Sequence, residues 1–163
     1  MRRDLFQPSA EGEARLLILI DAFTSPTKAL EGRTKLAKLD FFLRNPAFLG
    51  RVMGVDTSPE PDIETGMIRY RYGPWDPAYF ALIGSLVGRG LVEIVPLQRG
   101  LGYRTTARGH GVARTISSEP SWTDVDERAK VLRRSLDKSG ATLKKLVYEH
   151  FPEVTEARWG DRL

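Results

Sequence analysis

Residues 76–106, DPAYFALIGSLVGRGLVEIVPLQRGLGYRTT, decide the fold. Asp76 is a helix-capping residue type and Pro77 suits the first helical position. Tyr79, Leu82, Ile83, Leu86 and Val87 then recur at the spacing of one buried helical stripe. Gly90 is placed to stop that helix. The words LVEIVPL, QRGLG and YRTT follow as strand, turn and returning strand, so a helix runs directly into a hairpin.

Upstream, MIRYRY at 67–72 alternates with the period of a half-buried strand, which Gly73 and Pro74 are expected to end. TKLAKLDFFLRNP at 34–46 sets Leu36, Leu39, Phe42 and Leu43 at helical intervals and leaves Lys35, Lys38 and Arg44 outside. A short helix from Pro46 returns Phe48, Leu49 and Val52 to the core, and a helix over 11–23 places Ala14, Leu17 and Ile18 on one face. Residues 24–32 read as a connection with one turn. Residues 54–66, with Asp56, Glu60, Asp62 and Glu64 and no base, read as an acidic loop.

Downstream, 107–116 reads as a short helix despite Gly109 and Gly111. Ser121 and Asp124 suit a capping box, and Val125, Ala129, Leu132 and Leu136 form an apolar seam. Ser139 and Gly140 interrupt it before a last helix over 141–149. Helix, helix, strand, helix, strand, turn, strand is the order of a winged helix-turn-helix. The expected class is therefore α+β and mainly helical: a winged-helix domain over 11–117, a C-terminal helical hairpin or bent helix over 118–151 packed on it, and a tail over 152–163.

A length of 163 residues fits one main domain, and 41% hydrophobic with 28% charged residues excludes a mostly disordered chain. The absence of Cys removes disulfides, thiolate catalysis and cysteine zinc sites, and the cytoplasm fits best. The apolar run at 16–20 is far short of a bilayer span, and the first six residues lead into no signal-peptide hydrophobic region, so a soluble, unprocessed protein without a membrane partner is expected. His110 and His150 are the only histidines, each without an acid at ligand spacing. Ser85, Ser117 and Ser139 lie outside any nucleophile-elbow word, and no Walker or dinucleotide fingerprint occurs. No catalysis, metal, cofactor or small-molecule ligand is expected.

The formal net charge is +4, and residues 89–114 hold Arg89, Arg99, Arg104, Arg108 and Arg114 against the single acid Glu93, so the whole excess has one address. Arg89, Arg99, Tyr103, Arg104 and Arg108 are the candidates for sequence-neutral contact with a nucleic-acid backbone. The competing reading is a solvated wing whose arginines pair with acids elsewhere. Base reading is not expected, because the outward residues of the helix at 76–89 (Ala78, Ala81, Gly84, Ser85, Gly88) are small and only Arg89 is charged. These small residues permit close helix packing, either under the C-terminal helices or against a partner. Tyr72, Trp75 and Tyr79 around the Gly73–Pro74 turn form either an exposed anchor or a core corner. The seam Val125, Ala129, Leu132 and Leu136 docks either on a partner or on its own domain.

The words KLAKLDFFLRNP (35–46), YRYGPWDPAYFALIGSLVGRGLVEI (70–94) and GYRTTARGHGVA (102–113) carry a family resemblance, most of it in MIRYRYGPWDPAY (67–79). Over 33–113 the chain resembles the middle component of ABC-three-component, Lamassu-like systems and, more distantly, the Panacea or SocA-like winged helices. The resemblance implies a non-catalytic adaptor that joins an SMC-like ATPase to an effector in a bacterial anti-phage or anti-plasmid defence complex. It leaves the helices beyond Trp122 unexplained. The alternative is a winged-helix transcriptional regulator or antitoxin.

Overall fold

The computed structural model describes residues 7–54, 67–70 and 73–163. The fold is α+β and mainly helical, with two small antiparallel sheets. Two compact units share it, Met1–Gly32 with Ala78–Asp137 and Arg33–Pro77 with Lys138–Leu163. This division differs from the expected one. The chain leaves the first unit after Gly32, returns at Ala78 and leaves again after Asp137, so the two C-terminal helices fall into different units.

The first unit is built around α1 (Ala10–Ala22). The Ser9 hydroxyl accepts from the Gly12 amide at 2.9 Å, and Glu11 and Glu13 occupy the first turn, where the helix dipole favours negative charge. One apolar face was expected, yet every residue from Arg15 to Asp21 is buried. The reason is that α4 (Tyr79–Gly88), α5 (Ala107–Ser117) and α6 (Thr123–Ser135) all pack on this one helix. Gly12 is part of that closeness, since a Cβ there would lie 3.0 Å from Leu82 of α4.

Helix α4 ends where the sequence places Gly90, whose φ of +72° suits glycine. The Leu91 amide donates to the Leu86 carbonyl at 3.0 Å and closes the turn. The hairpin follows as β4 (Val92–Pro96) and β5 (Leu101–Thr105), paired from Val92↔Thr105 to Pro96↔Leu101. A strand the sequence did not announce, β1 (Leu30–Glu31), pairs with β5 and sets the sheet order β1-β5-β4. Two residues are too few to display a period.

In the second unit, α2 (Gly32–Arg44) lies almost wholly buried, and α3 (Pro46–Met53) follows it with Leu49 in the core and Phe48 and Val52 half-buried. Phe41, Phe42, Phe48 and Phe151 form one aromatic cluster with ring centroids 4.9 to 6.0 Å apart. Gly73 and Pro74 do not end a strand. They belong to β3 (Gly73–Trp75), which pairs with β2 (Ile68–Tyr70) in the register Ile68↔Trp75. Helices α7 (Gly140–His150) and α8 (Pro152–Glu156) complete the unit. The expected tail is structured: Arg69 donates its amide to the Asp161 carbonyl at 2.7 Å, and Leu163 donates to Met67 at 3.1 Å, which extends the hairpin edge. The acidic loop at 54–66 lies outside the described residues except for Gly54.

Three basic residues expected outside are inside. Lys35, Lys38 and Arg44 are buried along α2, so the one-sided reading of this helix is corrected. Arg44 donates to Asp40 one turn earlier, at 3.0 Å, and closely to Asp76, giving a buried cation held by two carboxylates. Asp76 thus helps to hold the buried Arg44 guanidinium. Helix α4 starts with Ala78 at its cap and no side-chain capping bond.

Candidate functional site

The outward face of α4 consists of Phe80, Gly84, Val87 and Gly88. Phe80 is 62% exposed and Val87 37%, the latter contrary to its expected place in the buried stripe. Ala78 is buried, and the Ser85 hydroxyl donates closely to Glu13 of α1, so neither offers a free group outward. Among the described residues, nothing lies within 4 Å of a Cβ built at Gly84 or Gly88. Within the first unit these glycines therefore do not sit under α6. The face is apolar and smooth, without the amide or guanidinium groups that read base edges.

The five backbone-contact candidates separate. Tyr103 on β5 is only 5% exposed, because its side of the hairpin faces the core, so its hydroxyl is corrected from a surface contact to a core group. Arg104 lies opposite Glu93 in the β4–β5 register and donates to its carboxylate through Nε at 2.8 Å and Nη2 at 2.6 Å. Arg89 sits 3.3 Å from Glu13 and also donates to Ser85. Arg99, in the turn between the strands, and Arg108, in the first turn of α5, are exposed, and neither has an ion-pair partner among the described residues. Arg114 is drawn inward to Asp126 at 2.8 Å.

Beside the hairpin lies a cavity of about 490 Å³ lined by Asp21, Ser25, Glu93, Arg104, Thr106 and His110 among others. Asp21, its side chain 5% exposed, accepts from Thr105 Oγ1 at 2.8 Å and meets His110 Nδ1 at 3.0 Å. Arg114 Nε approaches the same carboxylate at 3.5 Å. The pairing fixes the imidazole, 63% of which is exposed, with Nε2 as its remaining polar atom. Next along, burial works to raise the Asp126 carboxyl, but bonds from Arg114 and Lys130 outweigh it and hold the group below the usual carboxylate range. The bond to Asp126 in turn raises Arg114 and Lys130. The chain Lys130–Asp126–Arg114–Asp21–His110 thus ties α1, α5 and α6 together by alternating charge. Sequence spacing missed it, because Asp21 and His110 are 89 residues apart. Among the described residues no cluster of three or more His, Asp or Glu gathers to hold a metal ion.

The interface candidates divide similarly. Tyr79 is 1% exposed and belongs to the core, while Trp75 is half-buried on β3 and Tyr72 lies outside the described residues. Val125, Ala129, Leu132 and Leu136 are buried at 5% exposure or less in the first unit, where α6 packs on α1. Of the two readings of this seam, packing within its own domain is the one the structure has, so these four residues are not a free docking surface. Trp122, which the sequence offered only as a boundary, stands half-buried at the corner between α5 and α6. Among the described residues, no helix is long and apolar enough to cross a membrane. The chain matches no protein-family model, no curated protein and no solved structure in the three comparisons made.

Proposed function

We propose that the chain is a winged-helix adaptor, a non-catalytic subunit joining an SMC-like ABC ATPase to an effector in a bacterial defence complex. The observation that carries this reading is the outward face of α4, the helix read as the recognition helix, whose exposed residues are Phe80, Gly84, Val87 and Gly88. A face of this composition favours protein contact over base reading. The direct passage from α4 into the β4–β5 hairpin supports the winged-helix assignment, and the sequence words at 35–46, 70–94 and 102–113 support the family.

Arg99 and Arg108 add a sequence-neutral contact with a nucleic-acid backbone. Each neutralised phosphate contributes about 0.9 to the salt slope, so two arginines give a slope near −2 for duplex DNA. Gel shifts over a salt series are expected to show that shallow slope with no preferred sequence, and Arg99→Glu with Arg108→Glu should abolish it. A tight operator would sink the adaptor reading. Co-expression with a coiled-coil ATPase and effector encoded alongside is expected to yield one complex on size exclusion. Separate elution of the chain would count equally against it.

A further inference from the structure

Both carboxylate oxygens of Asp21 lie against one ring nitrogen of His110, at 3.0 and 3.1 Å from Nδ1. A carboxylate only accepts, so Nδ1 carries the ring proton and Nε2 carries the lone pair. Asp21 is in turn fixed by the Thr105 hydroxyl, which donates to it at 2.8 Å, and its side chain is only 5% exposed. The pair joins the end of α1 to the first turn of α5, whose start is set by the Thr106 hydroxyl accepting from the Gly109 amide at 3.0 Å. His110 lines the cavity beside the hairpin, and its ring is mostly exposed, so Nε2 is open to a small molecule entering that space. Among the described residues Nε2 has no hydrogen bond.

We propose that His110 is a covalent acceptor site, whose Nε2 takes an acyl group from a small, neutral, activated acyl donor. An imidazole held in one tautomer by a buried carboxylate is a positioned nucleophile, because the same carboxylate stabilises the positive ring formed during attack. The Nε2 lone pair attacks the acyl carbon, and the bond from that carbon to its leaving oxygen breaks. The leaving group departs as an anion. The Nδ1 proton then passes to solvent, which leaves a neutral acyl-imidazole. The charge of the cavity selects the donor. Asp21 and Glu93 stand against Arg104, whose guanidinium Glu93 already holds at 2.6 Å, so phosphoryl donors and other anions are disfavoured and a neutral acyl compound is admitted. The inference is independent of the adaptor reading, since accepting one acyl group modifies the chain and requires no turnover.

The test treats the whole chain with limiting diethyl pyrocarbonate, a neutral acyl donor, and reads the rates at His110 and His150 separately by peptide mass spectrometry. His150 is the internal reference, exposed and without a carboxylate partner among the described residues. His110 is expected to react roughly fivefold faster or more. In Asp21→Asn the side-chain amide donates to Nδ1, which moves the ring proton to Nε2 and removes the lone pair. The ratio should then fall to one or below, with the His150 rate unchanged and amide NMR spectra confirming the fold. Thr105→Val leaves the carboxylate present but unanchored and should give an intermediate ratio. Equal rates at the two histidines of the wild-type chain would overturn the proposal without any variant. So would an unchanged ratio in folded Asp21→Asn. For the donor class, the nitrophenolate release from para-nitrophenyl acetate that is lost in His110→Gln should be severalfold larger than for the same ester bearing a ring carboxylate. Equal losses would overturn the assignment to neutral donors. Neither nucleic acid nor ATPase enters these assays, so their failure leaves the adaptor reading standing.

Discussion

Lys38 gives the sharpest quantitative expectation. Its side chain is buried in the second unit, with 1% of the residue exposed, and burial together with the nearby Lys144 and Arg69 lowers its pKa from 10.5 to about 7. Arg69 and Lys144 both face the Tyr148 ring, at 5.5 and 5.6 Å, and Arg69 donates to the Tyr148 hydroxyl at 3.2 Å. A Cβ at Gly73 would come within 3.0 Å of the Lys38 ammonium. In the unfolded chain the ammonium keeps its proton up to pH 10.5, whereas the folded chain releases it near 7. Between these values the unfolded state binds more protons, so stability rises with pH by about 1.4 kcal/mol per pH unit. Below pH 7 both states are protonated, and the buried charge then costs on the order of 5 kcal/mol. Lys38→Met keeps the length and removes the charge. Urea denaturation from pH 6 to 10 should find the variant more stable below pH 7, with its advantage shrinking steadily as pH rises. Lys144→Gln should move the start of the wild-type slope to higher pH. Parallel pH profiles for wild type and Lys38→Met would refute the reasoning.

Two further expectations concern stability. In α5, a Cβ at Gly109 would overlap the Leu91 carbonyl, whereas nothing lies within 4 Å of one at Gly111. Gly109→Ala should therefore destabilise by about 1–3 kcal/mol and Gly111→Ala should stabilise by about 0.5–1 kcal/mol, opposite signs two residues apart that thermal melts will separate. Asp76→Asn removes one of the two carboxylates on the buried Arg44 and should cost roughly 3 kcal/mol by urea titration, the low end for a broken buried pair because Asp40 remains at 2.8 Å. A loss below about 1 kcal/mol would show that Asp40 alone suffices.

The elements that follow a single periodicity were legible: α1, α2, α4 and the β4–β5 hairpin, with Gly90 as the stop between helix and strand. Failures occurred where a helix is enclosed on more than one side. A one-sided reading assigns Lys35, Lys38 and Arg44 to solvent, but a helix surrounded by packing must take its charged residues inward. There Arg44 is neutralised by Asp40 and Asp76, and burial lowers the pKa of Lys38 to about 7. The division into units was illegible for a different reason. Adjacent segments such as α6 and α7 read as one helical hairpin or bent helix, and a single sequence contains no signal that separates them beyond Ser139 and Gly140. The candidate site was half legible. Charge clustering located the arginines, yet whether each is free depends on acids on other elements, Glu13 for Arg89 and Asp126 for Arg114, and on Glu93 across the hairpin for Arg104.

That pairing sets the role nucleic acid can have. Residues 89–114 carry five arginines, and three of them are held by carboxylates. An arginine already bonded to an acid releases little additional energy at a phosphate, because the acid is then left partly uncompensated. Arg99 and Arg108 remain, and two phosphate contacts fall well short of the roughly six to ten that make binding strongly salt-dependent. Between 50 and 200 mM salt, two contacts lose about tenfold in affinity, against about a thousandfold or more for a protein anchored by its charge. The proposed backbone contact, at this size, would add to a position fixed by other means. Under the proposed adaptor reading, the smooth apolar face of α4 is a surface suited to fix it.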